Sequence, residues 1–524
     1  MGDSVDENRQ PANCQSEVFA FLADPATHAG APVRRIDTHS AAVFLSGDRA
    51  FKVKRAVRYP YLDFSTLAQR KAACEAELEI NRIFAPALYL RVIPITRESD
   101  GALRLAGHGE SVEWAVEMRR FNETKTLDHL ADANAIDLAL ADKLARAVAA
   151  THVPIPVVEG APWIMALSTY IDQNDAAFRT NPDLFDLAQA EALSSGSRIT
   201  LDRLRPLLAT RDAQGLVRRG HGDLHLGNVA LIDGNPVLFD AIEFNPLIAS
   251  GDVLYDLAFL LMDLVERGLA AAANVVLNRY LIETRRASDL DALAALPLFM
   301  SLRAAIRASV TASRAAIAEP ADRQRARTDA AKYFALGCRL IRPTPPVLIG
   351  IGGLSGTGKS QLARALAHEL APAPGAVVLR SDIERKALAG HGENERLPAE
   401  AYTEESARRV YTVLTEKAGR IIAAGHSAIV DAVFARPEER DALHGVVRTS
   451  GGTFCGLFLT AEVAIRLARV GPRRGDASDA DETVARAQER YVLGHNDWSP
   501  IDASGTPKQT LAIARKLLAC KRSA

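Results

Sequence analysis

The sequence predicts two differently built halves: an α+β half made of a small strand-rich lobe and a larger helical lobe, then an α/β half on a parallel sheet. Three observations carry this. Short β-branched and aromatic segments recur before residue 121, helical periodicity dominates from Leu127, and a strand–helix alternation begins after a cluster of prolines. With 524 residues, two or three cores are expected, since domains usually run to about 100–200 residues.

In the first lobe, strands are read at 33–36, 42–45, 50–53, 90–95 and 114–119, with a helix over 66–84. Beyond it, helical patterns are interrupted by a loop and hairpin at 218–240. The run 253–265 is the most apolar, but Asp256 and Asp263 break it and it falls short of the roughly 20 residues of a membrane span. It is expected as a buried helix. Ala-rich helices over 289–339 then stop at Arg342-Pro343-Thr344-Pro345-Pro346, because proline lacks an amide donor and cannot continue a helix. The expected organisation is a polar leader (1–16), a first domain (17–341, its lobes meeting near 121), a linker (342–346) and a second domain (347–524). Strands of the second domain are read at 347–351, 376–379, 427–430 and 453–459, as a parallel sheet wrapped by helices requires.

The 63 basic and 64 acidic side chains nearly cancel, which leaves no global footprint for nucleic acid or an anionic membrane. Five scattered cysteines, none in a CxxC pair, indicate neither a disulfide framework nor a zinc site, so a reducing cytoplasm is expected. The polar, acidic start MGDSVDENRQ lacks the regions of a signal peptide, and Asp6 stands where myristoylation wants Ser or Thr.

Gly353-Leu354-Ser355-Gly356-Thr357-Gly358-Lys359-Ser360 matches G-x-x-x-x-G-K-[ST] between an apolar strand and a helix. Such a loop curls so that successive N–H groups, here including those of Ser355 and Thr357, point at phosphate oxygens. Lys359 is expected to neutralise the β- and γ-phosphates of ATP and Ser360 to hold Mg2+. Asp382, just past the second strand, reads either as the group that orients or deprotonates an acceptor hydroxyl or as a helix cap. Asp431, ending the third strand, reads either as a Walker-B-like metal carboxylate or as a plain strand-end turn. Arg466, Arg469, Arg473 and Arg474 precede a turn-prone segment and read as a closing lid or as a solvated helix end.

These features over 345–524 resemble the small P-loop kinases that include gluconate kinase, the chloramphenicol phosphotransferase and zeta-toxin group, and the polynucleotide 5′-kinases. The resemblance implies an acceptor-side Asp, matched by Asp382, and a mobile arginine-bearing lid, matched by 469–474 with Arg469 and Arg473 as phosphate contacts. Val470-Gly471-Pro472 spreads those arginines apart.

In the first half, His221-Gly222-Asp223-Leu224-His225-Leu226-Gly227-Asn228 carries H-x-D-x-x-x-x-N, followed after a short hairpin by Asp240. Phosphoryl transfer needs a carboxylate for the acceptor hydroxyl and oxygen ligands for magnesium, and Asp223, Asn228 and Asp240 supply that set. Glu243 and Asp252 are possible assistants, Asp252 rather as a cap or anchor. The first half resembles the aminoglycoside phosphotransferase family, relatives of protein kinases, with a bilobal kinase-like fold. The resemblance implies Asp223 as catalytic base, Asn228 and Asp240 as magnesium ligands, His221 as a structural residue and Asp256-Leu257-Ala258 as a helix start bracing the loop. It further implies Lys52, of Ala50-Phe51-Lys52, as the strand lysine that meets phosphate. Lys54 is its rival on the same face. Glu77 is its expected carboxylate partner, with Glu75 and Glu79 as alternatives, and Met118 marks a hinge whose backbone reads adenine. No G-x-G-x-x-G occurs over 37–45, so the hairpin covering the phosphates must use 38–42; Leu226 stands where the family often has proline.

The function expected is ATP- and Mg2+-dependent phosphorylation of small-molecule hydroxyls at two sites, with no nucleic-acid or membrane partner. Two other readings stand beside it. One is a nucleotide-dependent regulator, with a pseudokinase half and a P-loop switch. The other is a polynucleotide 5′-kinase in the second half, against which the lack of a basic, aromatic-rich stretch counts. Fold does not fix the acceptor. An acceptor pocket in the first half is expected from 127–210 and around 290–314, where Trp163 and Tyr170 either line it or pack.

Overall fold

The computed structural model describes residues 12–59, 62–470, 478–479 and 481–522. Contacts divide the chain into two compact units, 1–167 with 208–263 and 168–207 with 264–524.

The first unit opens on helix α1 (Ala12–Ala23), which begins inside the stretch expected as a polar leader. Its Val18, Phe19 and Leu22 share one face and join Phe44, Phe51 and Ile95 in an apolar cluster, so burial overrides the polar start. Strands β1 (Val33–Asp37), β2 (Ala41–Ser46) and β3 (Arg49–Lys54) form a meander, followed by a ribbon of β4 (Arg58–Tyr59) and β5 (Leu62–Asp63). Helix α2 (Leu67–Phe84) starts at a capping box, in which Gln69 N donates to Thr66 Oγ1 and Thr66 N donates to Gln69 Oε1. Strands β6 (Tyr89–Arg97), β7 (Leu103–Leu105) and β8 (Glu110–Arg119) complete an antiparallel sheet of order β1-β2-β3-β8-β6-β7. Arg70 on α2 and Glu113 on β8, each 1% exposed, meet at 2.8 Å and tie the helix to the sheet.

Helices α3 (Leu127–Asp132) and α4 (Leu138–Thr151) follow, and then α5 (Ala161–Arg179) and α6 (Leu187–Ala213), of which residues 168–179 and 187–207 belong to the second unit. Strand β9 (Val217–Arg219), the hairpin β10 (Val229–Ile232) and β11 (Asn235–Leu238), helix α7 (Pro246–Ala249) and strand β12 (Ser250–Asp252), paired with β9, frame the loops of the first site. Helix α8 (Val253–Glu266) is buried on all sides, as its run of apolar residues predicts.

The second unit holds α9 (Ala270–Thr284), α10 (Ala287–Asp291), α11 (Leu296–Ile317) and α12 (Pro320–Leu340), the last ending just before the prolines. An α/β body then runs β13 (Val347–Gly353), α13 (Lys359–Ala367), β14 (Val377–Arg380), α14 (Ser381–Leu388), α15 (Glu404–Ala423), β15 (Ala428–Asp431), α16 (Pro437–Ser450), β16 (Thr453–Thr460), α17 (Val463–Val470), α18 (Glu482–Ala487), β17 (Ser499–Asp502) and α19 (Pro507–Arg522). Its sheet is parallel throughout, in the order β14-β15-β13-β16-β17. The edge strand β14 is covered by α9: Asn274 and Asn278 donate to Ala376 O at 3.0 and 3.1 Å, and Val378 N donates to Asn278 Oδ1 at 2.7 Å. That docking groups α9 with the parallel sheet, so the compact units do not divide at the proline cluster.

Among the described residues no single helix is long and apolar enough to cross a membrane. The bent pair 287–294 and 296–316 passes by length and composition together, yet its Leu296, Leu298 and Phe299 are fully buried in the protein.

His426, just before β15, is fully buried with Nε2 2.9 Å from Gly375 O, and burial pushes its ring down to about 4. The unfolded chain protonates this ring near 6.5, so the stability it contributes is complete above that pH and is lost as pH falls through the window to about 4. Urea titrations should show His426→Gln losing roughly 3 kcal/mol less than the parent between pH 7 and pH 4. Equal slopes would contradict it.

Candidate active sites

The first site is assembled from β3, α2 and the two loops around the β10–β11 hairpin. Helix α2 buries Arg70, Ala73, Cys74, Glu77, Ile80, Asn81 and Phe84, the three-and-four spacing of one face. Glu77 lies on that face and is fully buried; Glu75 pairs with Lys71 at the surface and Glu79 is exposed, so geometry selects Glu77. Lys52 Nζ reaches Glu77 Oε1 at 2.7 Å and Asp240 Oδ1 at 2.5 Å. Lys54, the rival lysine, takes Glu77 Oε2 at 2.6 Å and also binds Glu243. One glutamate therefore anchors both lysines, and only Lys52 extends to Asp240.

Burial alone would lower the Lys52 ammonium, but Asp240 and Glu77 outweigh it and hold it well above the usual lysine value. Burial likewise works to raise Glu77 and Asp240, and the lysines overcome it, keeping both carboxyls below the usual range. Lys52 thus stays cationic and its partners anionic.

The loop carrying Asp223 is held from behind. Gly222 has φ +80°, and a Cβ there would stand 2.8 Å from Ala249 Cα, so only glycine passes. Asp256, in the first turn of α8, accepts from His221 N at 2.9 Å and Gly222 N at 3.0 Å, the bracing expected of it. His221 Nε2 sits 2.9 Å from Phe239 O, and burial lowers its ring below the ordinary histidine value, which suits a neutral structural residue. Asp252 caps Leu254 N at 2.8 Å and binds Arg211, an anchor rather than a site group. Asn228 Nδ2 donates to Asp223 O at 2.9 Å and Asp223 Oδ2 at 3.1 Å. Its amide oxygen is left as an acceptor among the described residues. Asp240 adopts φ +63°, with its N–H given to Tyr89 Oη at 3.1 Å, and its carboxylate is about half exposed. Met118 lies at the end of β8, opposite Ala50 and Tyr89. Trp163 is 1% exposed and packs on Tyr255 at 5.6 Å, so it packs rather than lining a pocket; Tyr170 is half-buried.

Sequence reasoning missed Asn81 and Tyr89. Asn81 exchanges hydrogen bonds with Ala241, accepting at 2.8 Å and donating at 3.3 Å, and so fixes the strand exit next to Asp240. The one available signal was its spacing, four residues after Glu77 on the same buried face.

In the second site, β13 runs into the loop 353–358 and α13 begins at Lys359. Gly356 has φ +87°, and a Cβ there would stand 2.6 Å from Arg466 O. Thr357 Oγ1 donates to Leu354 O at 2.8 Å and Lys359 Nζ to the same carbonyl at 3.2 Å. Ser360 Oγ donates to Asp431 Oδ2 at 2.5 Å, which brings the two expected metal residues together, and Arg380 Nε stands 3.4 Å from that same oxygen. Asp382 opens α14; burial, reinforced by the Asp431 charge, raises its carboxyl above the usual range, toward the poise a general base needs.

Arg469 departs from expectation. Its guanidinium donates to Ala503 O at 2.7 Å and Gly505 O at 2.8 Å, whereas Arg466, one turn earlier, reaches Ser355 O at 2.9 Å and binds Glu489. The spacing of α17 turns Arg466, not Arg469, toward the loop. Arg473 lies outside the described residues.

Among the described residues no group of three or more His, Cys, Asp or Glu side chains could hold a metal ion by itself. The expected oxygen donors are few at each site: Ser360 and Asp431 are bonded to each other, and the Phe239 N–H donates to the Asn228 carbonyl at 3.0 Å, which sets Asn228 beside the chain just before Asp240. Few donors suit magnesium, which keeps several waters and is otherwise bound by substrate phosphates.

The fold and these two constellations define a tandem of phosphotransferase-type domains. Residues 43–296 match the family described as phosphotransferase enzyme family, and residues 348–493 match the family described as AAA domain. The chain carries a phosphotransferase domain of the aminoglycoside-kinase type followed by a P-loop kinase domain. Uncharacterized proteins of Mycobacterium tuberculosis and Mycobacterium bovis are 29% identical over 496 residues, covering 91% of this chain and 94% of theirs. Among solved structures, a choline kinase from Cryptosporidium parvum is 11% identical, with 61% of this chain and 95% of that one covered and a TM-score of 0.38. A sugar kinase from a Janibacter species is 22% identical, with 33% and 95% covered and a TM-score of 0.27.

Proposed function

We propose that the protein is a bifunctional kinase that transfers the γ-phosphoryl group of ATP to hydroxyls of small molecules, at one magnesium-dependent site in each domain. The observation that carries this reading is the relay from buried Glu77 through Lys52 to Asp240, set beside the bonded pair Asp223 and Asn228. A pseudokinase has no need to keep a base, a phosphate lysine and two metal oxygens in register.

In the first site, Asp223 takes the proton of the acceptor hydroxyl as its oxygen bonds to the γ-phosphorus and the bond to the bridging oxygen of ADP breaks. Lys52 faces the phosphates, Glu77 orients it, and the Met118 backbone is the adenine contact. Asn228 and Asp240 would hold magnesium. In the second site Asp382 plays the part of base, Lys359 and the loop 353–360 grip the phosphates, and Ser360 and Asp431 would hold the metal. Magnesium, when bound, neutralises phosphate charge at each site. Three buried free thiols, Cys74, Cys338 and Cys455, support placement in a reducing cytoplasm.

Purified protein given ATP and magnesium with a mixture of hydroxylated metabolites should yield products heavier by one phosphate. Asp223→Ala should delete one set of products and Asp382→Ala the other. Products unchanged in both variants would refute the assignments.

A further inference from the structure

A cavity of about 280 Å3 lies within the second unit, between α9–α10 on one side and β14, α14 and α15 on the other. Leu281, Leu290, Ile383 and Leu388 make its apolar lining, and charged groups stand around them. The two lining acids are already matched. Lys417 Nζ donates to both oxygens of Glu384 at 2.7 Å, and Glu393 binds Arg279.

The consecutive lining residues Arg285 and Arg286, at the turn between α9 and α10, are not matched in that way. Arg285 is exposed and makes no ion pair among the described residues. Arg286 makes only a long ion pair, 3.9 Å from Nη1 to Asp289 Oδ2, and its buried Nη1 has no hydrogen-bond partner among them. A buried N–H left in that way costs free energy until an acceptor reaches it.

The cavity is separate from the acceptor side of the P-loop site. On α14 the lining residues are Ile383, Glu384, Ala387 and Leu388, one helical face, whereas Asp382 falls on the opposite face. The two places still share a wall. Arg380 lines the cavity, and its Nε stands 3.4 Å from the Asp431 oxygen that accepts from Ser360.

The geometry points to a regulatory ligand site in this cavity. It takes a small amphipathic anion, with one phosphate or carboxylate for Arg285 and Arg286 and a compact apolar body for the lining, and it is linked to the P-loop through Arg380. Linkage makes the effect mutual: nucleotide shifts ligand affinity by the factor by which ligand shifts nucleotide affinity. The link rests on Ser360 and Asp431 forming the metal end of the P-loop site, as proposed above; binding in the cavity does not.

The test titrates the full chain with phenyl phosphate by calorimetry, with a saturating non-hydrolysable ATP analogue and magnesium blocking both nucleotide sites. One equivalent should bind per chain with Kd below about 1 mM. Arg285→Ala, at an exposed side chain, should weaken it at least about tenfold, Ala387→Phe should abolish it by filling the cavity, and phenol and inorganic phosphate should each bind at least about tenfold more weakly. No saturable binding, or binding that both variants leave unchanged, would overturn the site. In Lys52→Ala protein, where only the P-loop retains nucleotide, phenyl phosphate should shift the analogue's Kd at least about threefold. An unchanged value with phenyl phosphate bound would overturn the link.

Discussion

Asp223→Asn is expected to cut transfer at the first site by about 10²–10⁴-fold while moving the Kd for ATP by less than about threefold. The amide is nearly isosteric with the carboxylate but cannot take up the acceptor's proton. Little else should change, because the loop is held by groups other than the Asp223 side chain. Asp256 grips the backbone of His221 and Gly222, and Asn228 donates to the backbone carbonyl of residue 223. Single-turnover transfer to an acceptor found in the metabolite screen gives the rate, and equilibrium dialysis the affinity. A rate within about threefold of the parent would remove Asp223 from the chemistry. A matching loss of ATP affinity would instead mean that the loop had collapsed.

Glu113→Ala is expected to cost about 3–5 kcal/mol of stability, the range for breaking a buried ion pair by deleting one partner. Glu113 and Arg70 are each 1% exposed, so neither charge has ready access to water. Arg70 Nε donates to both carboxylate oxygens at 2.8 and 2.9 Å, and Gln15 Nε2 donates to one of them at 3.0 Å. Arg70 sits two turns before Glu77 on the buried face of α2, so loosening it frees the helix that positions Glu77 against Lys52. The loss should appear in urea unfolding, together with weaker nucleotide binding at the first site. Stability within about 1 kcal/mol of the parent would contradict the account. Glu113→Gln, which keeps the shape and an acceptor oxygen, should lose less.

The parts of the two sites that are legible in the sequence are those in which chemistry forces a short spacing. The loop from Gly353 to Ser360 must curl within eight residues, and Asp223, Asn228 and Asp240 are held in register by a single hairpin. Helix periodicity sets Glu77 on a different face from Glu75 and Glu79, which share one, but which face is buried is settled only by how α2 packs on the sheet. What escapes is long-range. Lys54 meets Glu243 across 189 residues, and Asn81 meets Ala241 across 160. No local pattern announces either pair.

Short elements escape for a different reason. Strand β17 is Ser499-Pro500-Ile501-Asp502, in which Ile501 alone is buried, so its place in the sheet is set by neighbouring β16. The docking of Asn274 and Asn278 on β14 is likewise invisible. Asparagine on a helix carries no signal that it will pair with a strand edge about 100 residues later. Which arginine of α17 meets the loop, Arg466 through Ser355 O rather than Arg469, depends on the face of the helix that packs inward, and that is a tertiary decision.

The proposed function requires two separate nucleotide sites on one polypeptide. Equilibrium dialysis of the full chain with a labelled non-hydrolysable ATP analogue and magnesium tests it most directly. Two equivalents should bind per chain, falling to one in Lys52→Ala, one in Lys359→Ala and none in the double variant. Saturation at a single equivalent in the parent protein, or retention of both equivalents after either lysine is removed, would contradict it.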